Sequence, residues 1–305
     1  SGGEGGDGGD GGDGGDGGSS NNATNNGSID NSAPDGPRLP APPQFTDWQC
    51  PEGWLAEPAF EQDSLNGLAP YSICKPPLMP EDCPVGFIPL TGHSDCVRQG
   101  LACPTGDQWH DEATIRSRAP EFDGRIWYVS PQGDDDTGDG TRQAPIATLD
   151  EAMARSSSGH ILALGMGQFD ESIEIYRSLA LVGACVAGTS IVADTPSEAL
   201  PVVNITGDRE VVITDLVVSG PRGGIWLTEP GDVLLRAVTI GQARRIGVAV
   251  KGNGTRMRLE DTIIEQTQPL PNLTAGQGLV VQGGASVKVV RGLIDHNHGF
   301  GVFAA

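Results

Sequence analysis

Residues 211–218 read VVITDLVV, 233–240 VLLRAVTI, 257–264 MRLEDTII and 287–294 VKVVRGLI. Successive segments begin 22, 24 and 30 residues apart, and each leads through a polar loop into a second short run that opens with glycine. Those runs are GIWL from Gly224, GVAV from Gly247, GLVV from Gly278 and GVFA from Gly301. Recurrence on this scale is the mark of a solenoid, whose single unit cannot bury its apolar face until another stacks on it.

The columns of this alignment are chemically uniform. Val211, Val233, Met257 and Val287 share one, Ile213, Leu235, Leu259 and Val289 the next. Val218, Ile240, Ile264 and Ile294 form a third, and Ile225, Val248, Leu279 and Val302 a fourth. Aliphatic residues at period two, with polar or mixed residues between, make a strand with one buried face. Like residues at equivalent positions then stack about 4.8 Å apart, the spacing of neighbouring strands. Runs this short without long helices exclude a Rossmann or barrel sheet, and the Leu/Asn consensus of a leucine-rich repeat is missing. The expected fold is all-β, a right-handed parallel β-helix. Asp215 and Asp261 share a column with Ala237 and Arg291 between the strand halves, where an Asp is expected to serve a turn.

Upstream the texture changes twice. Residues 1–18, SGGEGGDGGDGGDGGDGG, contain no apolar side chain able to offset ordering entropy. Together with the Asn/Ser/Gly stretch and the proline-rich PRLPAPP at 37–43, they read as a disordered acidic tether over 1–44. Residues 45–118 hold Cys50, Cys74, Cys83, Cys96 and Cys103, with a C-P-x-G beat at Cys83 and Cys103 and a related Cys50-Pro51-Glu52-Gly53. No CxxC pair occurs there, so disulfides are expected and zinc is not. Five is odd, and Cys185 is the expected partner of one of them, which locks the module onto the solenoid. Residues 119–305 complete the chain, with an N-terminal cap at 127–170 and coils at 171–305. Residues 111–125 read as a polar connector.

The net charge of −21 opposes any binding of nucleic acid through its phosphates. No run of 18 apolar residues is present to span a membrane. A signal segment upstream of Ser1 is expected, as are further coils or a covering chain beyond Ala305.

Residues 127–152, WYVSPQGDDDTGDGTRQAPIATLDEA, are followed by GHILAL from Gly159 and GQFDE from Gly167. This resembles the N-terminal cap of secreted right-handed β-helix proteins of the pectate-lyase-like superfamily. The likeness is greatest to a bacterial domain family of unknown function with the pattern Y-V-S-x-x-G-x-D, G-D-G-T, P-x-x-T-L-x-x-A and G-x-Y/F-x-E. The acidic tether, the C-P-x-G module and GACVAGT at 183–189 resemble surface lipoproteins of myxobacteria. The resemblance implies a secreted or outer-membrane-surface protein, with any lipidated Cys upstream of Ser1 and no other membrane contact. The run 148–155 has helix-forming composition with Leu149, Ala152 and Met153 on one face, suited to covering the open end of a solenoid.

The chemistry is less legible. Hydrolases of this fold carry paired carboxylates in N-x-D, D-D, G-H-G and R-x-K motifs, none of which appears in the coils, and the lyase signatures are also missing. What stands out is a set of loops predicted to stack along one edge. They carry Arg222, then Arg244 and Arg245, then Glu265, then Asp295, His296 and His298. Trp226 and Phe303 sit one residue past inward positions and are expected to point outward. Such a strip suits an acidic sugar, with Arg222, Arg244 and Arg245 holding its carboxylates and Trp226 stacking on a ring face. Asp295, His296, His298 and Arg245 are the candidate catalytic groups. Solvated turn residues are the plain alternative. The expected protein is a non-catalytic surface β-helix contacting glycans or other surfaces, the alternative a polysaccharide lyase or hydrolase. No cofactor is expected beyond a role for calcium.

Overall fold

The structure is a computed structural model that describes residues 50, 54–58, 72–75, 80, 83–90, 92–193 and 195–305. The expected tether lies outside the described residues.

From Ile126 onward the chain winds through stacked rungs, every one of them parallel to its neighbours. One sheet carries the strands Ile126–Val129, Ile161–Leu164, Leu179–Gly183, Arg209–Ser219, Gly231–Gly241, Thr255–Glu260 and Ser286–Val290. A second strip joins Gly167–Phe169 and Thr189–Val192 to the C-terminal halves of the two long strands, then to Ile263–Glu265 and Leu293–Asp295. A third face stacks Ile173–Ile175, Pro201–Ile205, Gly223–Leu227, Ile246–Lys251, Gln277–Gln282 and Val302–Ala304. This is the expected parallel β-helix.

The register is the one the columns imply. Val211, Val233, Met257 and Val287 stand opposite one another, as do Val218, Ile240, Ile264 and Ile294. Ile225, Val248, Leu279 and Val302 do the same on the third face. Most of these side chains are fully buried in one continuous core, each contributing about 1.5–3 kcal/mol of apolar transfer. The rung at 286–304 has a neighbour on one side only, and its inward-facing Val289 and Val302 are exposed.

The corners follow from backbone geometry. Asp215, Ala237, Asp261 and Arg291 all have φ between 48° and 60°, so one left-handed residue per coil turns the chain from the first face to the second. The carboxylates of Asp215 and Asp261 do not serve the turn, contrary to the expectation from the sequence, but are held by Arg118 and Arg291. A second such column, Gly220, Gln242, Gln266 and His296, turns the chain off the second face. The recurring glycine that opens the third face has a different cause. A Cβ at Gly224 would lie 2.1 Å from the carbonyl oxygen of Gly247, and one at Gly247 would lie 2.7 Å from that of Gly278. Each rung's glycine thus leaves room for the backbone of the next.

Among the described residues, two short helices flank the coils. Helix α2, Leu149–Arg155, starts at the N-cap Thr148, and its Leu149, Ala152 and Met153 are buried in the main core. It packs on Ile126–Val129 and Ile173–Ile175, the first strands of the two principal sheets. Two acids of the 127–171 sequence pattern hold it. The Asp135 carboxylate accepts from the Ala147 and Thr148 amides and the Thr148 hydroxyl, and Glu171 accepts from the Leu149 and Asp150 amides. Helix α1, Glu112–Arg118, corrects the expected polar connector. Asp111 caps it, accepting from the Thr114 amide.

Helix α1 belongs to a second core. Trp109, Ile115, Ala119 and Phe122 cover the outward side chains of Ile126, Ile161, Ala163, Ala180, Val182 and Val212. The lower rungs are therefore buried on both sides, which is why 161–164 reads ILAL without alternation. The disulfides are Cys50–Cys74, Cys83–Cys96 and Cys103–Cys185, so Cys185 does join the cysteine-rich segment to the coils.

Candidate functional site

The predicted strip divides into two places. The first is the outer surface of the third face, where Glu174, Asn204, Trp226, Ala249, Val280 and Phe303 stand in register. Trp226 is half-buried against Ile246, Ala249 and Val280. Its indole lies back over Gly223, where a Cβ would come within 2.4 Å of the ring. The Arg245 guanidinium sits 6.0 Å from the ring centroid, within cation–π range.

The arginines are partly committed to the fold. Arg222 donates to the Thr195 carbonyl at 2.8 Å, the Thr195 hydroxyl at 2.5 Å and the Ser172 hydroxyl at 3.1 Å. Arg245 donates to the Glu198 carbonyl at 3.0 Å. Both pin the loop around 195–198 beside the tryptophan. The buried Nε of Arg244 has no hydrogen-bond partner, while its backbone amide donates to the Arg222 carbonyl at 2.6 Å.

The second place holds Asp295 and His296. Asp295 faces Glu265 across adjacent rungs, and its carboxylate takes the His296 amide at 2.8 Å and lies 2.9 Å from the His296 ring Nδ1. These residues line a cleft of about 470 Å³ whose far wall is the segment Cys83 to Pro89. Burial pushes the Glu265 carboxyl above its usual range, with the charge of Asp295 adding to the effect and that of His296 opposing it. His298 is absent from this lining. Its backbone amide donates to the Thr267 carbonyl and its side chain is exposed. Reasoning from motifs finds no carboxylate pair in the coils, yet Glu265 and Asp295 are one. The available signal was their shared column position, one residue past Ile264 and Ile294.

Among the described residues, no group of three or more His, Cys, Asp or Glu side chains is arranged to hold a metal ion. None of the described helices is long and apolar enough to cross a membrane.

No family model matches the sequence, and no curated protein matches it. Among solved structures, the chain is similar to the pectate lyase Pel9A, with 19% identity and a TM-score of 0.46 over 54% of this chain. The match spans 46% of the lyase, under half of its length.

Proposed function

We propose that this is a non-catalytic extracellular β-helix protein whose third outer face contacts glycans. The observation that carries the reading is Trp226, an aromatic platform on a rigid parallel sheet with the Arg245 guanidinium over its ring. A partly buried indole still offers an apolar face to a sugar ring, and a neighbouring guanidinium suits a uronate carboxylate. Rigid placement lowers the entropy cost of binding, and here Gly223 below and the Arg245–Glu198 contact beside the ring supply it. Three disulfides support an oxidising, extracellular setting. A non-catalytic role is supported by Arg222, whose guanidinium is committed to the Thr195 carbonyl and hydroxyl and the Ser172 hydroxyl.

The test is a screen of the protein against acidic and neutral polysaccharides, with and without calcium, reading both binding and the absorbance of unsaturated products. Binding without product supports the proposal. Product formation overturns the non-catalytic reading in favour of a polysaccharide lyase, and release of reducing ends without unsaturation favours a hydrolase.

A further inference from the structure

Along the outer faces of the coils several carboxylates are paired with an arginine. Asp215 has Arg118, Asp232 has Arg256, Glu260 has Arg236 and Arg258, and Asp261 has Arg291. Among the described residues, Glu265 and Asp295 have no such arginine and share one cleft. They stand side by side on adjacent rungs, and no Lys or Arg lies among the residues lining their cleft. Among the described residues, the Asp295 carboxylate pairs with its neighbour His296. Two carboxylates one strand spacing apart repel each other; the upward push on Glu265 comes first from its burial, with the Asp295 charge a smaller contribution.

Apart from Thr239, Gln266 and His296 the rest of the cleft is apolar, and it is firmly built. Ile263, Leu293 and Thr239 line one side, and Pro84, Phe87 and Pro89 the other. The Cys83–Cys96 disulfide and Gln99 fix the second wall. Gln99 donates its backbone amide to Gly86 at 2.8 Å, its side-chain amide donates to the Asp261 carbonyl at 2.7 Å, and its side-chain oxygen accepts from the Thr239 hydroxyl at 3.0 Å.

We propose that this cleft docks a lysine side chain of a partner protein, its aliphatic stem along Ile263, Leu293 and Phe87 and its ammonium group between Glu265 and Asp295. Lysine combines an apolar stem with a compact charge, matching a cleft with apolar walls and an anionic end. The pair repels a uronate, so the site is distinct from the Trp226 face and does not depend on the glycan reading. A net charge of −21 draws basic partners toward the protein, and the cleft gives one side chain a specific seat.

The test uses the full chain and the peptide acetyl-Ala-Lys-Ala-amide, followed by NMR titration. Saturable shifts at 84–89, 263–265 and 293–296 are expected. Glu265→Gln with Asp295→Asn should weaken binding about tenfold or more, as should acetylating the lysine. Asp208→Asn with Glu210→Gln removes the same charge from another part of the coils and should leave binding unchanged. Equal weakening in the two double variants overturns the proposal, as does unaltered binding by the first or the absence of saturable binding by the native chain. Carbodiimide coupling of the peptide to the native chain needs no variant. Isopeptide bonds at Glu265 or Asp295 ahead of Asp208 and Glu210 support the site, and an even spread over surface acids overturns it.

Discussion

The Arg118 Nε lies 2.6 Å from Oδ2 of Asp215, whose side chain is fully buried. Asp215 is also one of the left-handed corner residues, with φ of 60°. Its other oxygen accepts from the Leu101 amide at 2.8 Å and from Arg118 Nη2 at 3.2 Å, and the Thr214 hydroxyl donates to Oδ2 at 2.6 Å. One carboxylate therefore ties a corner of the solenoid to helix α1 and to the segment that leads to Cys103. Arg118→Ala strands that charge in the interior and is expected to cost about 3–5 kcal/mol, read as a lower urea midpoint. Arg118→Ala with Asp215→Asn should recover part of the loss. A loss below about 1 kcal/mol would show that the pair contributes little.

The Cys103–Cys185 bridge closes a loop across 82 residues. Replacing both cysteines by Ser should lower stability by roughly 2–5 kcal/mol while leaving the parallel-sheet circular dichroism signal of the coils in place. Loss of the sheet signal would mean that the coils require the outer segment to fold.

His160 predicts a pH dependence with a definite sign. Its Nδ1 accepts from the Trp127 indole N–H at 3.0 Å and from the Ser157 amide at 3.0 Å, so the neutral ring is the one the fold uses. Burial lowers its pKa below the ordinary 6.5, helped by the charges of Arg125 and Arg177. The unfolded chain therefore takes up a proton first as pH falls. Stability is present above about 6.5 and is lost as pH drops through the folded value. The thermal midpoint should fall between pH 7.5 and 5 by more in the native protein than in His160→Gln. Identical slopes would contradict this assignment. Glu171, whose carboxyl burial pushes up, acts with the opposite sign in both proteins and cancels from the comparison.

Gly247→Ala tests the glycine column. The new methyl meets both the Gly278 carbonyl and the Ile264 Cγ2 at 2.7 Å, so about 1–3 kcal/mol of destabilisation is expected. Ala at Gly241, where a Cβ meets nothing within 4 Å, should cost less than 1 kcal/mol.

The coils were legible in the sequence because each rung repeats the same inward positions, so Val211, Val233, Met257 and Val287 could be aligned without a structure. Helix α1 was not. Its seven residues from Glu112 to Arg118 bury only Ile115, and one apolar residue makes no stripe, although the Asp111 cap and the charges at both ends were readable signals. The two faces of the candidate site separate for a similar reason. Column position placed Trp226 on the outside correctly. It could not show that Arg222 and Arg245 reach the 195–198 loop, nor that Cys83–Pro89 forms a wall against Glu265 and Asp295, because those contacts join segments unrelated by the repeat.

The most direct test of the glycan-contact account is a binding isotherm of the native protein and Trp226→Ala with whichever polysaccharide the screen finds. The account predicts at least tenfold weaker binding, about 1.4 kcal/mol, with a circular dichroism spectrum like that of the native protein. Unchanged affinity in a folded Trp226→Ala protein would contradict it and move the contact off the third face.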